Sequence, residues 1–357
     1  MSEITNIKNI AIVAHVDHGK TTLIDALLKQ SGIVAQHQNI QDRAMDSSDL
    51  EKERGITILA KCTSINYQNH LINIIDTPGH SDFGGEVERV LGMVEGCVIL
   101  IDAAEGPLPQ TKFVLSKALA LNLKPIVVIN KVDRKDARVL EVLDEVYELF
   151  FALEANQEQL EFKVLYASGR SGWATEEYHQ DKFEAGTDLK PLFNAIIEEI
   201  PDAKIDENET QAKMLVTMLD VDPYFGTLLI GKIESGEFKV NDSIKALDIN
   251  SNLIENTKIN KLLKFEGLKK VPVETLSAGN IAIIAGCKNA TVTNTLCSTS
   301  INKAISARPI DPPTISIRMS PNDSPFAGKE GKKCTARMIG DRLKKEAEKN
   351  VALKVEE

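Results

Sequence analysis

The run Gly19-Lys20-Thr21 combines a flexible residue, an ammonium group and a hydroxyl in the order that phosphate-binding loops use. An apolar, strand-like stretch at residues 10–13 precedes it, and a helical pattern begins at Thr22. Backbone N–H groups at the start of such a helix bind phosphate oxygens, and the helix dipole favours negative charge there. We therefore expect Lys20 to contact the outer phosphates of a nucleotide and the Thr21 hydroxyl to coordinate Mg²⁺.

The same loop departs from the usual G-x-x-x-x-G-K-[ST] pattern at its first position, where Ala14 replaces glycine. An ordinary strand-to-helix turn can show part of this pattern, so the loop alone leaves both interpretations open. If it binds phosphate, the loop and the helix start are predicted to contribute Asp17, His18, Gly19, Lys20, Thr21 and Thr22.

A second signal follows another apolar strand, where the chain reads Asp76-Thr77-Pro78-Gly79. An aspartate at this point can hold Mg²⁺ through a water molecule, and the Gly79 N–H can contact a terminal phosphate. A plain turn is the alternative, because these residue types are also common in turns. The phosphate loop upstream favours the binding interpretation.

A third signal, Asn130-Lys131-Val132-Asp133, again follows a buried strand. The Asp133 carboxylate can accept two N–H bonds from guanine, whereas adenine presents the wrong donor pattern. This motif disfavours an ATP-using P-loop kinase. After the last predicted strand, Ser168-Gly169 suits backbone contact with the base, although this signal is weak alone.

A long polar segment around residues 31–53 ends in Arg54-Gly55-Ile56-Thr57. Loops of this length inside a domain are usually functional or mobile. Thr57 is predicted to coordinate Mg²⁺ only while a terminal phosphate is present. The segment would then be ordered by a triphosphate and released after hydrolysis.

The elements that position these signals alternate between strand and helix up to about residue 201, which predicts a doubly wound, mostly parallel α/β sheet with one antiparallel edge. Strands are predicted at 8–14, 58–67, 70–76, 96–102, 124–130 and 163–167. Helices are predicted at 21–30, 85–94, 110–121, 137–153 and 189–200. We therefore expect a nucleotide-binding domain over residues 1–202.

Residues 203–308 are expected to form a small antiparallel β-barrel, because short β-branched segments are separated by Gly, Asn, Asp and Pro. Its strands are predicted at 214–219, 226–233, 243–247, 262–265, 281–285 and 296–298. Residues 309–357 are expected to form an incomplete ferredoxin-like α/β plait: strand 314–319, helix 334–350 and strand 351–355.

The formal net charge of −10 over 357 residues disfavours a global electrostatic grip on nucleic acid. A basic cluster near the end could contact RNA or could be a solvated helix face: Lys329, Lys332, Lys333, Arg337, Arg342, Lys344 and Lys345. Five scattered cysteines fit reduced thiols, and no apolar run reaches membrane-spanning length. A soluble cytoplasmic protein is expected.

Taken together, the x-H-V-D-H-G-K-T loop, R-G-I-T, D-T-P-G-H and N-K-V-D resemble the GTP-binding domain of translation factors. Ala14 is common among the elongation factor G-like members, whereas Gly169 replaces a more usual alanine. Three further stretches resemble the BipA/TypA ribosome-associated GTPases: residues 158–160, residues 164–168, and N-D-S-P-F-A-G-K-E-G-K at 322–332.

This resemblance implies a GTPase that converts GTP to GDP and phosphate with Mg²⁺. His80 would orient the attacking water, and Val16 and Ile56 would form an apolar gate, although simple packing is the alternative for both gate residues. Asp17 would bind a monovalent cation, K⁺ or Na⁺. Lys20, Thr21 and Thr57 keep the roles given above.

The resemblance also implies a partner, the bacterial ribosome with its RNA and proteins and with tRNA nearby. The factor would act as a monomer that couples GTP hydrolysis to translation or to ribosome assembly under stress. Two alternatives stay open: a LepA-like elongation factor, and a truncated GTP-binding module without ribosome-stimulated hydrolysis. Family members continue beyond residue 357, so this chain is expected to be C-terminally truncated.

Overall fold

The structure is a computed structural model that describes residues 6–32, 57, 59–78, 84–179, 185–307, 315–325, 335–347 and 353–356. Within these residues, seven strands form the first sheet: β1 (Asn6–Ala14), β2 (Lys61–Tyr67), β3 (His70–Asp76), β4 (Gly96–Asp102), β5 (Lys124–Asn130), β6 (Lys163–Ser168) and β7 (Trp173–Thr175). Their order is β2-β3-β1-β4-β5-β6-β7. The five inner strands run parallel, which confirms the predicted mostly parallel sheet, but both edge strands are antiparallel, whereas only one antiparallel edge was predicted.

The hairpin between β2 and β3 turns at Gln68 and Asn69, which both have positive φ (44° and 65°). Two such residues give the backbone twist that a tight antiparallel hairpin needs. The hairpin predicted around Asn69 is therefore confirmed, and it supplies the antiparallel edge at β2. It also holds β3 beside β1, so that Asp76 lies next to the phosphate loop.

Helices cover both faces of this sheet. The described helices of this region are α1 (Lys20–Gln30), α2 (Gly84–Leu91), α3 (Pro109–Ala120), α4 (Val139–Ala152), α5 (Gln157–Leu160) and α6 (Lys190–Glu199). Apolar side chains of α1 and α6 join one buried cluster, and those of α2, α3 and α4 join the other. Because both faces are covered, the inner strands are mostly apolar along their length, as their sequences predict.

The second sheet is antiparallel and curls around its own core. The described strands of this region are β8 (Lys213–Leu215), β9 (Met218–Asp222), β10 (Gly226–Ser235), β11 (Glu237–Lys239), β12 (Ser243–Leu247), β13 (Leu253–Lys258), β14 (Lys261–Glu266), β15 (Lys269–Pro272), β16 (Thr275–Ser277), β17 (Ile281–Ala285) and β18 (Thr295–Ser298). Strands β12 and β14 are separated in the sheet yet share one buried cluster, which fits the predicted barrel.

One predicted barrel strand is wrong in detail, because residues 214–219 form two strands, β8 and β9. The chain changes partners between them. The Val216 N–H donates to the carbonyl of Asn294, whereas the Thr217 N–H donates to that of Ile230. Strands β11, β13, β15 and β16 lay outside the prediction, since their polar sequences carry no clear alternation.

A polar contact joins the two sheets at Glu95, whose side chain is 1% exposed. Its carboxylate accepts hydrogen bonds from Lys232 Nζ (2.7 Å), Asn9 Nδ2 (3.1 Å) and the Lys204 N–H (3.1 Å). Apolar residues of both regions, such as Met93 and Met218, also belong to one buried cluster. The barrel is therefore packed directly on the domain that contains the first, mostly parallel sheet.

The two strands predicted for the third unit are absent from its described residues, 315–325 and 353–356. The helix is present as α7 (Ala336–Ala347). Ile315, Ile317 and Met319 are 79%, 78% and 58% exposed, because no described element covers them. A segment without a neighbouring strand or core has nothing to stabilise it as a strand, which explains the error. Among the described helices, none is long and apolar enough to cross a membrane.

Candidate nucleotide-binding site

A cavity of about 930 Å³ lies at the carboxyl ends of the parallel strands, where doubly wound sheets bind ligands. Its size suits a nucleotide, since small-molecule sites fall between about 300 and 1,000 Å³. The predicted residues that line it are Val16, Asp17, Gly19, Lys20, Thr21, Thr22, Thr57, Asn130, Lys131, Asp133, Ser168 and Gly169. The fold thus brings the separate sequence signals into one site.

The phosphate loop makes a sharp turn before α1. Gly19 has φ of 96°, and a Cβ added there would lie 2.5 Å from Asn130 Nδ2. Only glycine fits this backbone conformation and close approach without strain. The turn lets α1 begin at Lys20, so its first N–H groups lie beside the cavity.

Lys20 joins the two elements that were predicted to hold Mg²⁺. Its ammonium is in direct contact with the Asp76 carboxylate and donates to Thr57 Oγ1 at 3.3 Å. Lys20 is 7% exposed and Asp76 is fully buried, so this ion pair lies away from bulk water. The ammonium of Lys20 thus lies next to Thr57 and Asp76, the two residues of other elements that were predicted to hold Mg²⁺.

The side chains that converge here also fit Mg²⁺, which prefers hydroxyl and carboxylate oxygens and keeps several waters or phosphate ligands. Thr21 and Thr57 offer hydroxyls and Asp76 offers a carboxylate. No group of three His, Cys, Asp or Glu side chains in the described residues could hold a metal ion. Water molecules or phosphate oxygens would complete the ligands of a metal held by these side chains.

The base-reading motif is held by Asn130, which is 2% exposed. Its Nδ2 donates to the His18 carbonyl at 2.8 Å, and its Oδ1 accepts from the Gly169 N–H at 2.8 Å. Asn130 therefore connects the phosphate loop to the loop after β6, and both its amide atoms are engaged by protein. Sequence reasoning predicted that Asn130 contacts nucleotide, and its amide here connects two loops that line the cavity.

The Asp133 carboxylate is exposed to the cavity and oriented by one hydrogen bond. Ser168 Oγ donates to Asp133 Oδ2 at 3.0 Å. This contact leaves the other carboxylate oxygen available to a base bound in the cavity. Ser168 and Asp133, which are 35 positions apart in sequence, are thereby paired as parts of one site.

His18 was predicted to contact nucleotide, but it is fully buried under the loop and is not among the residues that line the cavity. Its Nδ1 accepts from the Asp102 N–H at 3.3 Å, and its Nε2 lies 3.4 Å from Glu105 Oε2. Burial lowers the pKa of His18, and the charge of His15 lowers it further. The His18 ring is packed between the loop and the end of β4, and it supports the loop there.

Three predicted residues, Ile56, Gly79 and His80, lie outside the described residues, as do Arg54 and Gly55. The apolar gate and the water-orienting histidine therefore stay predictions. Val16 is half-buried and lines the cavity.

Sequence reasoning missed several residues around the cavity. Gln30 donates to the Gly172 carbonyl at 2.6 Å and accepts from the Leu189 N–H at 2.8 Å, which ties the end of α1 to the loop after β6. Lys29 and Arg134 add positive charge to the lining. No motif marks these positions, so only the three-dimensional contacts could have found them.

The doubly wound sheet, the phosphate loop and the Asn-Lys-x-Asp motif on one cavity define a P-loop nucleotide-binding protein of the GTPase class. The profile of the family described as "Elongation factor Tu GTP binding domain" matches residues 5–202, and the chain belongs to that family. A second profile, "Elongation factor Tu domain 2", matches residues 226–297, within the antiparallel sheet.

Several curated relatives carry the name "Large ribosomal subunit assembly factor BipA". The relative from Synechocystis sp. (strain ATCC 27184 / PCC 6803 / Kazusa) is 50% identical over 351 residues, which is 98% of this chain and 58% of the relative. The relative from Escherichia coli (strain K12) is 48% identical over 354 residues, 99% of this chain and 57% of the relative. The resemblance to BipA/TypA GTPases is confirmed, and the chain spans less than two thirds of these relatives.

Two crystal structures share the fold. One, of a protein from Thermus thermophilus, has a TM-score of 0.72 at 19% identity and covers 98% of this chain and 62% of that chain. The other, a bacterial selenocysteine-specific elongation factor, has a TM-score of 0.60 at 21% identity and covers 83% of this chain and 45% of that chain. At these identities they support the fold alone.

Proposed function

We propose that this chain binds GTP and GDP with Mg²⁺ and hydrolyses GTP to GDP and phosphate. The observation that carries the proposal is one cavity lined by Lys20 and Thr57 at one end, where Lys20 contacts the buried Asp76, and by Asp133 at the other. The first end suits phosphate and metal, and the second suits the N–H edge of guanine. A fluorescent GDP that is displaced by GTP and not by ATP would support the proposal, whereas equal displacement would contradict it.

At the phosphate end, the Lys20 ammonium and the N–H groups of Gly19 and Thr21 would compensate the charge that develops on the transferred phosphoryl group. Thr21, Thr57 and Asp76, the last through water, would hold Mg²⁺, which supplies further charge compensation when bound. Asp17, which lines the cavity, would be the site of a K⁺ or Na⁺ ion. Hydrolysis of this kind depends on positioning and charge rather than on covalent catalysis.

His80 is proposed to orient the attacking water, with Val16 and Ile56 as an apolar gate. The support is its position directly after D-T-P-G, which begins at the buried Asp76, the last residue of β3. A histidine there would stand within a few residues of the metal ligand. Val16, one of the two proposed gate residues, lines the cavity.

We further propose that the chain acts in the cytoplasm as a monomer and binds the ribosome. The support for ribosome binding is the name of the relatives, "Large ribosomal subunit assembly factor BipA", together with a similarity that covers nearly the whole chain. Coupling to translation or to assembly under stress belongs to the same proposal. Within it, residues 1–202 would bind nucleotide, residues 203–308 would form the barrel domain, and residues 309–357 would belong to a third domain.

Two alternatives make different predictions. A LepA-like factor is disfavoured by the relatives, which share the BipA name at 46–50% identity. A GTP-binding module without stimulated hydrolysis would bind nucleotide, but ribosomes would leave its turnover unchanged. Hydrolysis measured with and without ribosomes, for this chain and for a version extended to the length of the relatives, separates these possibilities.

A further inference from the structure

Asp102, at the end of β4, is connected to the phosphate loop by two routes. Its Oδ2 lies 2.7 Å from Nζ of Lys131, and this Nζ also donates to the Asp17 carbonyl at 2.6 Å. The backbone N–H of Asp102 donates to Nδ1 of His18 at 3.3 Å. Asp17 and His18 are adjacent in the loop, so the two routes close a ring that begins and ends at Asp102.

The ring holds two backbone positions that need support. Asp17 has φ of 65° and Lys131 has φ of 63°, both in the left-handed region. For residues other than glycine this conformation is energetically unfavourable, and it persists only where surrounding contacts fix it. Such a contact links the two residues directly, because the ammonium of Lys131 donates a hydrogen bond to the carbonyl of Asp17.

Asp102 is well suited to hold that ammonium. Its side chain is fully buried, and its two oxygens have separate partners. Oδ1 accepts from the N–H groups of Ala104 (2.7 Å) and Glu105 (3.3 Å), whereas Oδ2 faces Lys131 and, at 3.5 Å, Arg134 Nη1. One oxygen therefore caps the turn after β4, and the other is directed to the base-reading motif.

The charge of Asp102 is retained in this environment. Burial alone would raise the pKa of this carboxyl, but the hydrogen bond from Lys131, the Ala104 N–H and the positive charge of Lys131 outweigh it, so the pKa lies below the usual value. The group is a carboxylate at neutral pH and balances the Lys131 ammonium.

We propose that Asp102 is a positioning residue for nucleotide binding: through Oδ2 it holds the Lys131 ammonium against the Asp17 carbonyl and so keeps the phosphate loop in its binding shape. The inference rests on the proposed function, because it explains how that same site is held. Asp102 does not line the cavity, so its effect on a nucleotide must pass through the cavity residues Lys131 and Arg134 or, by way of His18, through the loop. GTP and GDP use the same loop and should be affected alike, while the choice between guanine and xanthine, which belongs to Asp133, should not change.

A purely structural role for Asp102 makes a different prediction. If only the cap on Ala104 and Glu105 mattered, then loss of the carboxylate would act independently of Lys131. Asparagine offers one acceptor oxygen and no charge, so it can serve the turn but no longer balances the ammonium. A double-mutant cycle between Asp102→Asn and Lys131→Met measures whether the two side chains act as one unit.

The measured quantities are the dissociation constants and dissociation rates of fluorescent GDP and GTP for wild type, both single variants and the double variant. Methionine keeps an apolar stem in the cavity wall and removes only the ammonium. A hydrogen bond to a charged group is worth about 1.5–3 kcal/mol, so each single variant should bind both nucleotides roughly 10- to 100-fold more weakly. The double variant should bind no more weakly than Lys131→Met alone.

Asp136→Asn is the matched control. Asp136 pairs with Arg134 at 2.5 Å on the exposed side of the same loop, and its side chain is 60% exposed. Both of its carboxylate oxygens accept hydrogen bonds from the Arg134 guanidinium. This variant should bind GDP and GTP as wild type does. A loss of affinity in Asp136→Asn equal to that in Asp102→Asn would mean that loop charge in general is responsible, and it would overturn the proposal.

The outcomes separate the inference from the proposed function. If wild type binds neither nucleotide, the proposed function fails. If wild type binds and the effects of Asp102→Asn and Lys131→Met simply add, or if Asp102→Asn binds as tightly as wild type, the positioning role is contradicted. If Asp102→Asn does not fold, Lys131→Met tests the same contact from its partly exposed end, and unchanged nucleotide affinity in that variant overturns the proposal.

Discussion

The ammonium of Lys20 contacts the carboxylate of Asp76 in a buried ion pair that links α1 to the end of β3. Nucleotide phosphate and this carboxylate both attract the same ammonium. We expect Lys20 to contact phosphate and Asp76 to hold Mg²⁺ through water. Binding of a nucleotide with Mg²⁺ should therefore replace the Lys20–Asp76 ion pair by a Lys20–phosphate contact and an Asp76–Mg²⁺ contact. The pair therefore compensates two buried charges until their ligands arrive.

Asp76→Asn should separate these two contributions. Without Mg²⁺, GDP should bind as tightly as to wild type or more tightly, because Lys20 no longer has to leave a carboxylate. With Mg²⁺, the variant should lose most of the metal-dependent gain, roughly tenfold in affinity for a lost charge-assisted contact. Titration of fluorescent GDP in EDTA and in excess Mg²⁺ measures both effects. An equal loss of affinity in the two buffers would contradict the exchange of partners.

His80→Ala tests the proposed water-orienting role. A positioned side chain that assists proton transfer contributes about 100- to 10,000-fold, so turnover in the presence of ribosomes should fall by at least roughly 100-fold. GTP affinity should stay near the wild-type value, because the phosphate and base contacts are intact. Single-turnover release of phosphate and a parallel binding titration distinguish these effects. Undiminished ribosome-stimulated turnover in His80→Ala would rule out the role.

Glu95→Gln tests the polar contact between the two sheets. The amide keeps the size of the side chain but loses the charge that Lys232 requires, and breaking a buried pair costs about 3–5 kcal/mol. Urea denaturation followed by circular dichroism should show this loss in the free energy of unfolding.

The control for this prediction is Glu176→Gln, since Glu176 is 50% exposed and pairs with Lys163 at 2.5 Å on the surface. Exposed pairs contribute about 0–1 kcal/mol, so this variant should remain close to wild type. Equal stabilities for the two variants would show that Glu95 does not anchor the barrel.

The first, mostly parallel sheet could be predicted in detail because each of its strands is marked by its own residue pattern. The bounds of β3, β4 and β5 match the predicted segments 70–76, 96–102 and 124–130, since each is a mostly apolar segment that ends at a polar residue. The phosphate loop and the base-reading motif were likewise readable from residue types and spacing.

The contacts that hold these motifs together could not be predicted, because they join distant positions. Asp102 and Glu95 look like ordinary polar residues at the ends of a strand, yet both are buried and bind lysines 29 and 137 positions away. His18 was predicted to contact nucleotide because of its place in the loop, but its ring is fully buried and accepts a hydrogen bond from the Asp102 N–H at the end of β4. Strands such as β13 depend on partners that are not evident from their own sequence.

The most direct test of the proposed guanine site is the nucleotide preference of Asp133→Asn. An amide can no longer accept both N–H bonds of guanine but can donate one to the extra oxygen of xanthine, so preference should move from GTP to xanthosine triphosphate. Sites built on paired polar groups discriminate strongly, and the shift in the ratio of affinities should be at least about 100-fold. Competition of both triphosphates against a fluorescent nucleotide measures this ratio. An unchanged ratio in Asp133→Asn would contradict the assignment of this cavity as a GTP site.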